Sequence, residues 1–148
     1  MVEKENAHRT WVQFSPDGEQ FILDSGTYVD REYLLYEFDS LKLKKTLYGI
    51  ALSWLDPVRF VFTPIDVLKG ARYADADFPG WLSVVIYDSE AGSFTTLAEA
   101  TKTEDFMMEE VNNTGEIIIT KFSVNDEKDW EDEDAGKIKI EEIRVPVP

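Results

Sequence analysis

One pattern occurs three times along this chain of 148 residues, and it constrains the fold more than any other feature. Each copy is a strand-like run, a turn signal and a second strand-like run. The first copy occupies residues 11–23 and turns at Ser15-Pro16-Asp17-Gly18. The second occupies 50–62 and turns at Asp56-Pro57. The third occupies 107–119 and turns at Asn112-Asn113-Thr114-Gly115. The first turn has a clear mechanism. Proline presets φ at its second position, aspartate can bond nearby backbone, and glycine accepts positive φ.

The residues between the copies read as further strands separated by turn chemistry. A first unit has strands at 11–14, 20–25, 32–38 and 44–48, and Gly49 closes it. A second has strands at 50–54, 59–63, 81–87 and 93–98, with a long segment from Pro64 to Gly80 inside it. A third, shorter unit has strands at 106–111, 116–124 and 137–145. Helical periodicity is scarce. Its best candidate, 96–108, is short and broken by threonine. The expectation is an all-β protein.

Charge limits the partners. Thirty acidic and fifteen basic residues give a net charge of −15. Nucleic acid is recognised by lysine and arginine that displace counterions from phosphates, and this field repels phosphate and anionic lipid alike. At 43% hydrophobic and 13% aromatic the chain still has the material for a packed core, in one domain over 1–148. It has no cysteine, which excludes disulfides, thiol catalysis and thiolate metal sites. No leader-like apolar stretch follows Met1, and no run is long enough to cross a membrane as a helix, so a cytoplasmic location is expected.

The first unit resembles the blade repeats of β-propellers, of the WD40 kind and of the related PD40 kind in TolB-like proteins. Phe14-Ser15-Pro16-Asp17-Gly18 followed by Phe21-Ile22-Leu23 looks like the inner hairpin of such a blade. Leu34-Leu35-Tyr36-Glu37-Phe38-Asp39 and Lys45-Thr46-Leu47 look like its outer part. The second unit matches in Leu52-Ser53-Trp54, in Val84-Val85-Ile86-Tyr87-Asp88 and in Thr95-Thr96-Leu97. The third matches in Asn113-Thr114-Gly115-Glu116-Ile117-Ile118-Ile119. The Trp-Asp ending and the Gly-His pair of WD40 blades are absent, so their hydrogen-bonded network is not carried over. The same hairpins would also serve an ordinary antiparallel sandwich or barrel.

The resemblance implies three antiparallel four-stranded blade-like sheets, a half propeller, with units at about 8–49, 50–101 and 102–148. A propeller ring takes about four to eight blades. Three blades leave two sheet faces open, and open apolar faces are aggregation hazards. Two chains on a twofold axis would close six blades, so a homodimer is expected. A monomer folded as a sandwich, and a half ring completed by a different protein, are the rivals.

Candidate functional residues are few. His8 is the only histidine and lies in a polar N-terminal segment without a second histidine or a cysteine, so it reads as a solvated side chain and no multi-histidine zinc site can form. Asp24, Asp30 and Glu32 surround a loop that also holds Arg31, which reads as surface pairing. The acidic loop 125–134 invites a hard cation. An EF-hand frame there would put Ala135 at a ligand position and Lys137 beside the ion, between strands in place of helices, so no metal is expected. Trp130 in that loop either anchors it or touches a partner. In the long segment, Lys69, Arg72, Tyr73, Phe78 and Trp81 combine bases with aromatic area, the usual composition of binding hot spots, or they cover the core. With no nucleophile elbow or phosphate loop, no catalytic residue and no cofactor are assigned, which weighs against an enzyme. The expected function is a non-catalytic protein-interaction or scaffold module. The alternative is a small-ligand or carbohydrate-binding protein, or a hydrolase, with carboxylates at a central channel.

Overall fold

Side chains of aspartate, asparagine and serine close the hairpins and so set the strand boundaries. The computed structural model describes residues 11–27, 30–65, 81–131 and 135–148. At the first turn the Asp17 carboxylate accepts from the Ser15 hydroxyl (2.8 Å) and the Glu19 N–H (3.1 Å), and Gly18 takes φ +75°. At the second, Asp56 accepts from the N–H groups of Val58 (3.0 Å) and Arg59 (2.8 Å) and from Arg59 Nε (2.7 Å). At the third, Asn112 Oδ1 accepts from the N–H groups of Thr114 (3.1 Å) and Glu116 (2.9 Å). Asp88 does the same for Glu90 and Ala91 at a later turn.

These turns join antiparallel strands in two sheets. The strands are β1 (Trp11–Phe14), β2 (Gln20–Thr27), β3 (Asp30–Glu37), β4 (Leu43–Trp54), β5 (Arg59–Pro64), β6 (Val84–Asp88), β7 (Ser93–Ala98), β8 (Glu104–Val111), β9 (Glu116–Ser123) and β10 (Lys139–Pro146). Strands β1 to β7 form one meander in chain order, and β8, β9 and β10 form a second. Among the described residues the helical segments are two short 3₁₀ turns, Glu127–Glu131 and Ala135–Lys137. The stretch 96–108 is not a helix. It is the end of β7, a tight turn in which Thr101 and Glu104 exchange backbone bonds, and the start of β8.

The fold is all-β and half-propeller-like, but the grouping into sheets differs from three sheets of four. Gly49 does not end a strand. It lies inside β4, where it pairs with Arg31 of β3 on one side and Pro64 of β5 on the other. The first half of β4 completes the N-terminal unit and its second half opens the middle unit, so the two are hydrogen-bonded as one sheet. The register slips between Gly49 and Leu52, and a bulge of this kind bends a strand. A Cβ on Gly49 would lie 2.6 Å from the Thr63 carbonyl oxygen, so only glycine fits.

The bend lays the units over one another as three layers. Ile22, Tyr33, Leu35 and Leu47 of the N-terminal unit pack on Phe60, Phe62, Val85 and Tyr87 of the middle unit. The middle unit's other face, Val61, Val84 and Ile86, packs on Phe106, Met108, Ile117 and Ile119 of the C-terminal sheet. Strands β5 and β6 are therefore covered on both faces, which is why Phe60-Val61-Phe62 and Val84-Val85-Ile86-Tyr87 are unbroken apolar runs. Burying side chains of this size contributes about 1.5–3 kcal/mol each. Polar clasps fix both seams. Buried Gln20 donates to the Pro57 carbonyl (3.1 Å) and the Ser89 hydroxyl (3.0 Å) and accepts from Lys44 (3.0 Å). Across the other seam the Thr63 hydroxyl accepts from the Met108 N–H at 2.9 Å.

Candidate interaction surface

Side chains paired across antiparallel strands share a face, so the register of β1 to β4 gives the outward surface of the N-terminal unit. One row runs Phe14, Phe21, Tyr36, Leu43. The next runs Val12, Leu23, Leu34, Thr46. Phe38 joins the first row beyond Tyr36. The rings touch: Phe21 stacks on Tyr36 at 5.3 Å, and Phe14 meets Phe21 at 5.8 Å and Phe38 at 5.9 Å. This face is as apolar as the buried face behind it, yet Val12 is 51%, Phe14 52%, Phe38 49% and Leu43 46% exposed. Monomeric soluble proteins rarely leave open a contiguous apolar patch of more than a few hundred Å².

The opposite end of the stack is different. The outward face of the C-terminal sheet carries Met107, Thr120 and Glu142 in one register row and Glu110, Ile118 and Arg144 in another. Arg144 Nε donates to Glu142 at 3.0 Å, and the Thr120 hydroxyl donates to Glu109 at 2.8 Å. Ile118 is buried beneath this layer, while Ile140, beside half-buried Phe122, is 65% exposed.

Between β1 and the second half of β4 lies an open cleft of about 460 Å³, walled by Trp11, Val12, Tyr33 and Leu52. Asp24 and Arg31 line it. Asp24 accepts from Arg31 Nη1 (2.9 Å) and from Gln13 Nε2 (3.2 Å), one bond on each carboxylate oxygen. Tyr33 is buried behind the pair, and desolvation, then the Asp24 charge, raises its phenol well above the ordinary range. Glu32 points to the opposite face, since its partner in β4 is Tyr48. Asp24 and Arg31 thus form a part-buried ion pair, not a surface one. Sequence reasoning did not assign Arg31 to a site; its alternation with Tyr33 and Leu35 on the buried face was the available signal.

The other candidates fall as follows. Lys69, Arg72, Tyr73 and Phe78 lie outside the described residues, as does His8. Trp81 is half-buried with φ +61°, at the entry to β6 and not within a strand. Trp130 is 2% exposed and donates to the Lys102 carbonyl at 2.7 Å, which is the anchoring one of its two readings. Among the described residues no three acidic or histidine side chains converge as a metal site. No described helix is long and apolar enough to cross a membrane.

No family model and no curated protein matches the sequence. The fold is nonetheless similar to that of solved structures. One is a protein described as a conserved lipoprotein from Clostridium novyi, with a TM-score of 0.59 and 12% identity over 98% of this chain and 91% of that one. Another is a post-proline cleaving enzyme from Rickettsia typhi, with a TM-score of 0.52 and 12% identity. There the match covers 95% of this chain but 23% of the enzyme. At this identity the likeness is one of fold alone. The lipoprotein match, nearly end to end in both chains, is to a protein of similar length.

Proposed function

We propose that the chain is a non-catalytic protein-interaction module built from degenerate propeller blades of the WD40/PD40 kind, and that it pairs with a second copy of itself. The carrying observation is the outward apolar face of the N-terminal unit, centred on Phe14, Phe21, Tyr36 and Leu43. The blade reading is supported by the antiparallel meanders that pack face to face on either side of the middle unit. The choice of partner follows from comparing the open faces. Closing a six-bladed ring would set the aromatic face of one copy against the charged strip Glu109, Glu142, Arg144 of the other, and burying those charges costs several kcal/mol. Turning two aromatic faces toward each other about a twofold axis leaves the strips in water. That isologous arrangement is the pairing we favour.

The hydrolase alternative needs two carboxylates with separated roles. In the cleft, Asp24 has both oxygens engaged, which favours binding over hydrolysis. The test is the mass in solution by light scattering over a dilution series. A species of twice 17.0 kDa that persists on dilution is expected. A 17.0 kDa species at every concentration contradicts the self-pairing.

A further inference from the structure

The cleft between β1 and the second half of β4 combines features that the interaction face does not use. Arg31 spends one guanidinium nitrogen, Nη1, on Asp24. Its Nε and Nη2 have no partner among the described residues, and the side chain is 25% exposed into an open cavity. Asp24 is itself held by Gln13, so the guanidinium is tethered in one orientation and not free to sweep the surface. A guanidinium presents donors in a planar fork that matches a carboxylate. The lining mixes these polar groups with apolar ones, half-exposed Trp11 and the partly buried Leu52 among them. Among the described residues β1 is also the edge of its sheet, so alternate backbone groups there lack a strand partner.

We propose that this cleft binds a carboxylate carried next to an apolar group, with Arg31 as the anchor. Asp24 already balances the Arg31 charge, so the bound anion relies on directed hydrogen bonds more than on net attraction. The molecule's −15 charge opposes any anion, but that field is screened beyond about 8 Å at physiological ionic strength, whereas the contact with Arg31 is not. The carboxylate can come from the free C-terminus of an extended peptide or from a small aliphatic acid.

Isothermal titration of the full chain separates these sources. The probes are an acetylated pentapeptide ending in leucine, the same peptide with an amidated C-terminus, and 4-methylpentanoate. Acid peptide binding at least tenfold tighter than the amide is expected. If the peptide also exceeds 4-methylpentanoate, the β1 edge contributes and the source is a chain terminus; if the two acids bind alike, the source is the small acid. Equal binding of acid and amide, or no binding of either acid, overturns the proposal. Arg31→Gln should abolish the preference for the acid. That variant leaves Asp24 buried without its cation, so the double variant Asp24→Asn/Arg31→Gln, which removes both charges, is the folded control. Retention of the acid preference in the double variant also overturns the proposal. Repeating the titration on Phe14→Lys, whose substitution lies on the interaction face, keeps this test separate from self-pairing.

Discussion

The two ends of the stack face water with opposite chemistry. The N-terminal unit turns Phe14, Phe21, Tyr36 and Leu43 outward, and the C-terminal sheet turns Thr120, Glu142 and Arg144 outward. Both ends pack an equally apolar inner face on the middle unit. The difference is therefore not in how the ends are held but in what they are prepared to meet. The C-terminal sheet is finished as a surface, with an ion pair laid over Ile118. The N-terminal unit is finished as an interior on both sides, as the middle unit is. A layer of that kind is complete when something covers it.

The largest way to break this comparison is to spoil the bend that seats the N-terminal unit. Gly49→Ala puts a Cβ against the Thr63 backbone oxygen and should cost about 2–3 kcal/mol, read by denaturant unfolding. Gly18→Ala, where no atom lies within 4 Å and only the φ of +75° is strained, should cost about 1 kcal/mol. Equal losses would refute the role given to the bend. Next come the seam clasps. Gln20→Ala and Thr63→Val each strand buried polar groups, and each should lose roughly 1–3 kcal/mol. A large loss for one and none for the other would show that the two seams are not held alike.

Acidification gives a smaller, two-part effect. At Asp17 the hydrogen bond from the Glu19 N–H, then that from Ser15, lowers the carboxyl pKa. At Asp56 burial pushes upward, but the bonds from Arg59 and the turn N–H groups outweigh it and the pKa falls. The Lys121 bond lowers Glu104. Groups depressed on folding stabilise above their unfolded pKa and lose that contribution as pH falls through the folded value. The thermal midpoint should hold or rise slightly from pH 7 toward pH 5, as the −15 charge relaxes, and then drop below about pH 4. A midpoint that keeps rising below pH 4 would contradict the turn assignments. The smallest effect belongs to the finished end. Arg144→Ala, on an exposed pair, should change stability by less than about 0.5 kcal/mol.

Much of this was legible in the residues. The turn positions followed from proline, glycine, aspartate and asparagine, whose local bonds need no tertiary context. The order and approximate bounds of the strands followed from those turns. The fusion of two units through β4 was not legible, because Gly49 reads as a terminator whether it ends a strand or lets one pass close to another. Trp81 was read into a strand because nothing local marks its left-handed backbone. The cleft was hidden for another reason. Its polar members, Gln13, Asp24 and Arg31, are brought together by the pairing of β1, β2 and β3, and its far wall comes from β4. The aromatic face was present in plain sight in Gln20-Phe21-Ile22-Leu23 and Tyr33-Leu34-Leu35-Tyr36. These runs lack the alternation of a half-exposed strand, which is how a sheet apolar on both faces announces itself.

The most direct test compares the ends in one experiment. Sedimentation equilibrium is run on the wild-type chain, on Phe14→Lys and on Ile140→Lys, each substitution falling on a side chain already about half exposed or more. The account predicts a dimer for wild type and for Ile140→Lys. It predicts a 17.0 kDa monomer for Phe14→Lys, because placing a lysine at the paired face should weaken association by about 2–3 kcal/mol, roughly 100-fold. Loss of the dimer in Ile140→Lys with retention in Phe14→Lys would contradict it, and would move the interface to the C-terminal sheet.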